Sequence, residues 1–474
     1  MEQADIIIKT KHMYTMEGDG CGYECGKLVV INGSKIVCIG NEAEVLSKFR
    51  AEKFINAEDK IVLPGFIDGH MHTGHAVMRG VAQDIDYWMM EGMAPFEAAR
   101  SSEAKTAGSR LAIAEAVMSG TTTIGDDSSD IGGSVAFIDK IGVRGNVSVR
   151  VRSALPKVYK DGELYEFNEE MGERTLREGL ILYDKYHNKD GERIKIRFSP
   201  QGADFLDMDL LMRVKKIAKE KKTKLHLHLS QGKRETKQMQ LRYHCRTIPM
   251  LDKLDFFDSD VIGIHLADAT PDEVKTVASK KASMILCSNS IGLINGEVPP
   301  AYEFMEAGGY VGLGTDQSPG NNGHNMFSEM KATAIFNKIK RHSSTVMPAW
   351  KVLRMATIEG ARALGIGEIT GSLAEGKYAD ILLLDLRSPT LSPVYTVPMR
   401  NMVPNLVYAA RGNEVHTVIA HGRIIVENRI PLTFDMDEIL TKAQSYACEL
   451  GEKAAPEFYK INGRNAGYMK ENKL

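Results

Sequence analysis

The spacing of apolar and polar positions divides the chain into four stretches. Residues 1–60 carry short β-branched runs, including Lys27–Asn32 and Lys35–Ile39, and the Asn32-Gly33 pair predicts a hairpin turn. From about residue 61, strand-like apolar runs alternate with helical patterns, which indicates β–α units around a parallel sheet. Strand-like runs return at YADILLLDL and VHTVIAHGRIIVEN, and residues 435–474 predict a terminal helix with a polar tail.

Eight apolar runs of strand length occupy the second stretch. They are Phe66–Asp68, Thr122–Gly125, Asn146–Val151, Lys195–Phe198, Lys224–Leu229, Val261–Ile264, Ser283–Leu286 and Tyr310–Gly314. The segments between them have helical patterns, and DMDLLMRVKKIAKEKK has the acidic start and basic end that favour a helix. Eight such units over roughly 300 residues predict a (β/α)8 TIM barrel, an α/β fold whose active site lies at the C-terminal ends of the strands.

The first of the eight runs ends in a pair of histidines, in the segment LPGFIDGHMH. If this run is a strand, His70 and His72 share one face, with Cα atoms about 7 Å apart. Two imidazoles placed in this way can bind one divalent metal ion. The alternative is a pair of polar histidines in a surface turn. The polar residues at the other strand ends favour the metal site.

Three further runs also end in residues that bind metals or transfer protons. The fifth run ends in LHLHLSQ, where His226 and His228 share a face and His228 lies nearer the end of the strand. The sixth run ends at His265, and the eighth stops at Asp316. In a parallel barrel these ends meet at one face, so we expect the side chains to lie close together.

The strand ends therefore predict a metal centre at the mouth of the barrel. The predicted ligands are His70, His72, His228 and Asp316, a set that suits Zn²⁺ or Fe²⁺ with an open water position. A bound metal lowers the pKa of its water to about 7, so hydroxide forms near neutral pH. Asp316 is the candidate acceptor of the water proton, and His265 is the candidate catalytic residue that orients the hydroxide or a substrate oxygen. Taken singly, each residue could instead be a buried barrel histidine or a turn aspartate.

The overall charge excludes several classes of partner. With 60 basic and 62 acidic side chains, the formal net charge is −2 and the isoelectric point is near 6.7. Such a chain has no long-range attraction for nucleic acid or for an anionic membrane surface. The sequence lacks the pattern of a signal peptide, and no run reaches the roughly 18 apolar residues of a membrane helix. The six cysteines lack metal-type spacing apart from Cys21 and Cys25, so we expect reduced thiols in a cytoplasmic protein.

Several longer motifs carry a resemblance to a known family. They are LPGFIDGHMH, SGTTTIGD, LHLHLS, HLAD, GLGTDQSPGNNGHNMFSEM, GARALG and GSLAEGKYADILLLD. Together they resemble the amidohydrolase superfamily, in the branch that holds cytosine, guanine and S-adenosylhomocysteine deaminases and the triazine hydrolases. The resemblance covers nearly the whole chain. It implies a small-molecule substrate and a homodimer or higher homo-oligomer.

The resemblance also implies a domain organisation and one divalent metal ion per subunit. A barrel over residues 61–371 is joined to a small composite β-sandwich from residues 1–60 and 372–434, and a helical tail follows over residues 435–474. The ion is expected to be zinc rather than iron. The fourth run ends in Phe198-Ser199-Pro200-Gln201. Because this end has no lysine, the carbamylated-lysine bridge of the dinuclear branches is not expected.

Two positions depart from the deaminase pattern. Gln231 stands three residues after His228, where deaminases of this branch carry a glutamate that shuttles a proton to the ring nitrogen. Gln201 stands where the purine deaminases carry a histidine. A glutamine amide cannot take up and release a proton at neutral pH. Glu235 could replace the missing glutamate, or it could be a solvated carboxylate on a helix.

Seven residues near the strand ends are candidate substrate contacts. They are His75, Arg79, Trp88, Gln201, Gln231, Asn289 and His324. Trp88 could cover an apolar or aromatic ligand, and packing in the core is the alternative. His324, in the loop after Asp316, either contacts the substrate or lies at the N-terminal end of a helix.

These features predict a metal-dependent hydrolase that acts on a C–N bond in a small nitrogen heterocycle through a metal-activated hydroxide. The leading interpretation is a deaminase-like aminohydrolase. Because Gln231 weakens the usual proton relay, hydrolysis of an exocyclic amide, urea, carbamate or ring substituent is the alternative. A third interpretation is a non-catalytic barrel relative that serves as an assembly protein. Such relatives typically lose their ligands, whereas the predicted ligand set is complete here.

Overall fold

The computed structural model describes residues 1–85, 87–128, 131–157, 159–160 and 162–474. Within these ranges the strands form two eight-stranded sheets. The strands are β1 Glu2–Tyr14, β2 Tyr23–Asn32, β3 Lys35–Asn41, β4 Phe49–Pro64, β5 Phe66–Met71, β6 Thr121–Ser128, β7 Arg144–Val151, β8 Ile194–Pro200, β9 Leu225–Leu229, β10 Val261–His265, β11 Ser283–Leu286, β12 Val311–Leu313, β13 Ile381–Asp385, β14 Val415–Ala420, β15 Arg423–Glu427 and β16 Ile430–Pro431.

Each of the strands β5 to β12 is followed by at least one helix, and other helices lie between further strands and after β16. They are α1 Glu42–Lys48, α2 Ala94–Ala99, α3 Ser102–Met118, α4 Gly132–Ile141, α5 Glu169–Tyr186, α6 Lys189–Glu192, α7 Met208–Glu220, α8 Lys233–Tyr243, α9 Thr247–Lys253, α10 Pro271–Ser279, α11 Ser288–Asn295, α12 Ala301–Glu306, α13 Ser318–Asn321, α14 Met326–Lys340, α15 Ala349–Met355, α16 Ile358–Ala363, α17 Met402–Tyr408, α18 Met436–Ile461 and α19 Arg464–Lys470. A 3₁₀ turn covers Thr73–Met78 and a π-helical turn covers Trp88–Met93.

Strands β5 to β12 form the barrel that the sequence predicts. They lie in the sheet in chain order, and each adjacent pair is parallel. Each of the eight predicted runs overlaps one of these strands. The runs are continuously apolar because a parallel sheet covered by helices is buried on both faces. The prediction of a (β/α)8 barrel is confirmed.

The barrel nearly closes where β12 meets β5. The Asp316 amide donates to the His70 carbonyl oxygen at 2.8 Å, and the His72 amide donates to the Asp316 carbonyl oxygen at 3.0 Å. Glycine is required next to this contact, because a Cβ on Gly314 would lie 2.8 Å from the His70 nitrogen. The closure therefore places the ends of the first and last barrel strands side by side.

The other sheet combines strands from the two ends of the chain. Its order is β16-β15-β14-β13-β4-β1-β2-β3, and β4 pairs with β1 in parallel and with β13 antiparallel. Strands from both ends share one apolar cluster, which includes Ile8, Val29, Leu383 and Ile419. The composite unit predicted from both ends of the chain is thus present as one mixed sheet. The residue boundaries 1–60, 61–371, 372–434 and 435–474 stay predictions, and β4 continues past residue 60 to its end at residue 64.

Helices α18 and α19 make up most of residues 435–474, where the sequence predicts a helical tail. The Phe458 ring of α18 packs on Phe96 of α2 with centroids 5.7 Å apart. Asn465 Nδ2 donates to the Gln83 carbonyl oxygen at 2.7 Å, so α19 contacts the long segment after β5. Among the described residues, no helix combines the length and apolarity needed to cross a bilayer.

A buried ion pair joins the barrel to the mixed sheet. Arg144, at the start of β7, donates from Nε and Nη2 to Asp380 Oδ2 at 3.1 and 3.0 Å. Both side chains are 1% exposed. Asp380 also accepts hydrogen bonds from Thr370 Oγ1 at 2.6 Å and from the His421 amide at 2.8 Å. The carboxylate therefore connects four segments at the base of the barrel.

We expect Arg144→Met to lower the free energy of unfolding by about 3–5 kcal/mol, because it leaves the Asp380 carboxylate buried without its cation. Urea unfolding followed by circular dichroism measures the change. The matched control is Arg174→Met, which removes an exposed ion pair with Glu178 and is expected to leave the unfolding curve in place. Equal destabilisation in the two variants would contradict the role of this ion pair.

Candidate metal centre and active site

Four side chains converge at the C-terminal end of the barrel. One ring nitrogen from each of His70, His72 and His228 lies within 4.8 Å of the others. Asp316 Oδ1 lies 3.5 Å from His70 Nε2 and 3.4 Å from His72 Nε2. All four residues are buried. The structure thus brings the predicted ligands together into a histidine–aspartate site that can hold a metal ion.

The three histidines present the same ring nitrogen to the centre. Each Nδ1 has a hydrogen-bond partner, namely the Asp127 carbonyl oxygen for His72 at 2.5 Å, the Gln201 carbonyl oxygen for His228 at 2.6 Å and His226 Nε2 for His70 at 2.9 Å. The Gln201 carbonyl oxygen only accepts, so His228 Nδ1 carries the proton and His228 Nε2 keeps its lone pair. Partners of this kind orient metal-binding histidines. His70 Nε2 is buried and has no hydrogen-bond partner among the described residues, which fits a ligand atom.

Burial sets the protonation of the centre. It lowers the pKa of His70, His72 and His228 well below the usual value, and nearby positive charge adds to the effect. The imidazoles are therefore neutral, which is the form that binds a metal. Burial raises the pKa of Asp316 to about 6, while a hydrogen bond from the Ser290 hydroxyl lowers it.

His265 lies beside the centre. Its ring centroid is 5.4 Å from those of His70 and His228. Neither ring nitrogen has a hydrogen-bond partner within the described ranges. The backbone at His265 has φ +72° and that at Asp316 has φ +59°, conformations that non-glycine residues adopt at a cost and that cluster at functional sites. This placement suits the predicted catalytic roles of both residues, which stay predictions.

A hydrogen-bond chain fixes the segment that carries Asp316. Asp68, in β5, accepts from the Thr315 amide at 3.0 Å and from Thr315 Oγ1 at 2.6 Å. His324 Nδ1 pairs with Thr315 Oγ1 at 2.9 Å, and His324 Nε2 pairs with Ser318 Oγ at 2.8 Å. Both nitrogens of the buried His324 ring are therefore used inside the loop after β12.

A cavity of about 980 Å³ opens at the same end of the barrel. It is lined by the segments that follow β5, β7, β9 and β11, and its lining includes Trp88, Tyr159, Tyr165, Gln231 and Arg234. Two of the predicted substrate contacts, Trp88 and Gln231, therefore line one cavity. Their contact with a substrate stays a prediction.

Four other predicted substrate contacts differ in their surroundings. The His75 ring is 5.5 Å from that of His72, and Gln201 has a buried Oε1 without a partner among the described residues. Arg79 pairs with Glu115, and Asn289 Nδ2 donates to Glu329 Oε2 at 3.0 Å. Arg79 and Asn289 thus have protein partners, whereas Gln201 Oε1 has none within the described part of the chain.

Comparison with known proteins identifies the chain. The model of the amidohydrolase family matches residues 61–425. The chain is 31% identical over 449 residues to a 5′-deoxyadenosine deaminase of Methanosarcina mazei, covering 94% of this chain and 98% of the relative. The chain belongs to the amidohydrolase family. The resemblance seen in the motifs is confirmed.

Three further proteins match this amidohydrolase over nearly their full length. A 5-methylthioadenosine/S-adenosylhomocysteine deaminase of Syntrophobacter fumaroxidans is 30% identical over 94% of this chain and 98% of its own. A zinc-bound adenosine deaminase from Xanthomonas campestris superposes with a TM-score of 0.86 at 25% identity, over 95% of this chain and 99% of that one. Atrazine chlorohydrolase from Arthrobacter aurescens shares the fold, with a TM-score of 0.82 at 20% identity over 93% of this chain and 100% of that one.

Sequence reasoning missed residues that surround the ligands of this amidohydrolase. Asp127, at the end of β6, is buried, and its carboxylate lies 3.6 Å from Arg150 Nη2 and 3.8 Å from His228 Nδ1. Arg150 Nη2 is also 3.2 Å from the Asp127 carbonyl oxygen. The available signal was the Asp126-Asp127 pair at the end of the second predicted run. It resembles the metal-site strand ends, but adjacent aspartates are also common in turns.

Glu235 corrects one expectation. The sequence favours a solvated carboxylate on a helix, but Glu235 is buried in the first turn of α8. It accepts hydrogen bonds from the Ser230 amide at 2.9 Å, the Gln231 amide at 2.8 Å and Thr247 Oγ1 at 2.6 Å. Burial raises its pKa to about 7. Its carboxylate is used to hold the main chain after β9.

We expect His228→Ala to lose bound zinc, because it removes one of the four converging ligand atoms. The measurement is the zinc content per chain, by mass spectrometry, after loading with zinc and dialysis. His342→Ala is the control, since His342 is exposed and distant in the chain from the centre. A zinc content equal to that of the unmodified protein would contradict the assignment of His228.

We expect His226→Ala to retain zinc but to bind it about 10–100-fold more weakly, because His226 orients His70 without reaching the ion. Competition with a chromophoric chelator measures the affinity. An affinity unchanged from that of the unmodified protein would show that the 2.9 Å contact to His70 does not orient the ligand.

Proposed function

We propose that this amidohydrolase is a metal-dependent aminohydrolase that replaces the 6-amino group of an adenine nucleoside with oxygen and releases ammonia. The observation that carries the proposal is the cluster of His70, His72, His228 and Asp316 at the C-terminal end of the barrel. The similarity to 5′-deoxyadenosine and 5-methylthioadenosine/S-adenosylhomocysteine deaminases supports a nucleoside that lacks a free 5′-hydroxyl.

Zinc is the proposed ion. Three neutral imidazoles and one carboxylate suit zinc with an open position for water, and a neighbouring structure at 25% identity contains zinc. A divalent metal held by these residues would supply a strong oxygen nucleophile near neutral pH. The residues of the chain then have to orient the reactants and move the protons.

Asp316 and His265 are the proposed proton-transfer and orienting residues. Asp316, whose pKa burial raises to about 6, can take a proton from the attacking water and deliver it to the leaving amine. Burial lowers the pKa of His265 to about 3, so its ring is neutral with one N–H and one lone pair. That ring can hold the attacking oxygen in line with the substrate carbon.

The cavity suits a nucleoside with a 5′ substituent. Its volume of about 980 Å³ lies at the upper end of the roughly 300–1,000 Å³ that small-molecule sites occupy. The lining includes Trp88, Tyr159 and Tyr165. Aromatic side chains of this kind can stack on a purine ring while their polar atoms hydrogen-bond to protein or ligand.

A second candidate is hydrolysis of an exocyclic amide, urea, carbamate or ring substituent. Gln231 favours it, because a glutamine cannot deliver a proton to a ring nitrogen. In amide cleavage the amine nitrogen takes its proton directly, so Asp316 alone would suffice. The complete ligand cluster weighs against the third interpretation, an assembly protein without activity.

The remaining expectations stand as proposals. We propose that this protein works in the cytoplasm as a homodimer or higher homo-oligomer. All six cysteines are free thiols in the structure, which is typical of a reducing compartment. The oligomeric state rests on the family resemblance.

The decisive experiment measures ammonia release by zinc-loaded protein from 5′-deoxyadenosine, 5′-methylthioadenosine and adenosine, with triazines and aryl amides as comparison substrates. We expect ammonia and a 6-oxopurine product from the adenine nucleosides. Asp316→Asn is expected to lower kcat at least about 10²-fold, because the amide cannot transfer the proton. Cleavage of an amide or a triazine by protein that releases no ammonia from any nucleoside would establish the second candidate instead.

A further inference from the structure

Gln231 has a charged partner on one side of its amide. Arg234 Nη2 lies 3.4 Å from Gln231 Oε1. A guanidinium donates hydrogen bonds and cannot accept them. The carbonyl end of the Gln231 amide therefore faces Arg234, and the NH₂ end points away from it. Since both residues line the cavity, the NH₂ group is the end left to meet a ligand.

Arg234 is itself held in place by two further partners. Its Nη1 donates to Asp204 Oδ2 and to Tyr165 Oη, both at 2.6 Å. The Asp204 side chain is 1% exposed, so this carboxylate is a buried and rigid acceptor. The Arg234 guanidinium also lies over the Phe205 ring, with Cζ 4.7 Å from the ring centroid. The direction from which Arg234 approaches Gln231 is thus set by residues outside α8.

The main chain at Gln231 is fixed independently. Its amide donates to Glu235 Oε2 at 2.8 Å, and its carbonyl oxygen accepts from Asn295 Nδ2 at 3.3 Å. With the backbone held on both sides, only the side-chain torsions of Gln231 remain free. Arg234 therefore determines which end of the amide enters the cavity.

We infer that Gln231 is a fixed hydrogen-bond donor to an unprotonated acceptor on the substrate ring, and that Arg234 is the positioning residue that fixes it. The acceptor is a pyridine-type ring nitrogen next to the carbon that is attacked. The inference rests on the proposed function, because that function places such a ring beside Gln231. The role inferred for Gln231 differs from that of a proton-shuttling glutamate, because no proton passes through residue 231.

A balanced reaction follows without protonation of the ring. The attacking oxygen forms a bond to C6 while the electron pair of the C6–N1 double bond moves onto N1. The Gln231 NH₂ group donates a hydrogen bond to the negative charge on N1. The proton taken from water by Asp316 passes to the amine, and the C6–N bond breaks to release ammonia. The N1 electron pair then re-forms the double bond and leaves a 6-hydroxypurine, which tautomerises to the 6-oxopurine.

The same geometry predicts the outcome of restoring a glutamate. Gln231→Glu would place a carboxylate next to the Arg234 guanidinium, which favours the ionised form. An ionised carboxylate neither donates a hydrogen bond nor delivers a proton, and it repels negative charge on the ring. We therefore expect Gln231→Glu to slow the reaction, unless Arg234 is replaced as well.

The test compares kcat, KM and the pH profile of ammonia release from 5′-deoxyadenosine in zinc-loaded variants. We expect kcat about 10²-fold lower in Gln231→Glu and lower in Arg234→Gln with KM nearly unchanged. Arg234→Lys should recover part of the loss. The kcat of the double variant Gln231→Glu/Arg234→Gln should exceed that of Gln231→Glu about tenfold. Its pH profile should gain a new limb. A Gln231→Glu enzyme faster than the unmodified one overturns the inference.

Arg242→Gln is the matched structural control. Arg242 lies on α8 and donates to the Tyr165 carbonyl oxygen. The variant therefore weakens the packing of the same side of the cavity without a direct effect on Gln231. We expect its kcat to equal that of the unmodified enzyme. A loss of kcat equal to that of Arg234→Gln would reduce Arg234 to a structural role and overturn the inference.

A binding measurement separates this inference from the proposed function. Purine riboside keeps the ring acceptor but has no amino group, and its 1-deaza analogue replaces that nitrogen with CH. By calorimetry, we expect the unmodified protein to prefer purine riboside about tenfold, the magnitude of one hydrogen bond, and Gln231→Ala to lose the preference. If this preference and its loss in Gln231→Ala are observed but no ammonia is released, the proposed function is wrong and the inference stands. If ammonia is released but the protein binds the two ligands equally, the inference is wrong and the proposed function stands.

Discussion

The contact between the last and the first barrel strand is the constraint on which the site depends. Two main-chain hydrogen bonds join Asp316 to His70 and His72, and they place the carboxylate and two imidazoles at one point before any metal binds. The buried Asp68 then fixes Thr315, the neighbour of Asp316, by two more hydrogen bonds. Because the backbone supplies this geometry, the ligand side chains need little reorganisation, and preorganised sites of this kind bind and react more efficiently.

Burial sets the protonation states of the centre, and it also costs free energy of folding. Neutral histidines and a carboxylate with a raised pKa are what a water-excluding pocket produces. Within the part of the chain that the structure describes, some buried polar atoms have no partner, among them His70 Nε2 and both nitrogens of His265. Unsatisfied buried groups cost roughly 1–3 kcal/mol each, so a ligand or ion that satisfies them stabilises the fold as well as enabling the reaction. In this family member, stability and occupancy of the site are therefore linked.

The sequence was sufficient for the barrel and for the convergence of the ligands, because both follow from local patterns. Apolar runs mark the strands, and His228 or Asp316 at the end of a run must lie at the mouth of a parallel barrel. It was not sufficient for the contacts between side chains from different loops. The burial of Glu235 depends on its contact with Thr247 of α9, and the approach of Arg234 to Gln231 depends on Asp204 and Tyr165 from other segments. No periodicity in the chain records that packing.

The mixed sheet also dictates an order of events during synthesis. Strand β4 ends at Pro64, but its partner β13 begins only at Ile381. At about 5–20 residues per second, roughly 300 intervening residues take roughly 15–60 s to synthesise. During that interval the last part of β4, KIVLP, lacks its partner on the β13 side, and an unpaired apolar sheet edge recruits other chains. The nascent protein thus carries an aggregation hazard until its own C-terminal strands are synthesised.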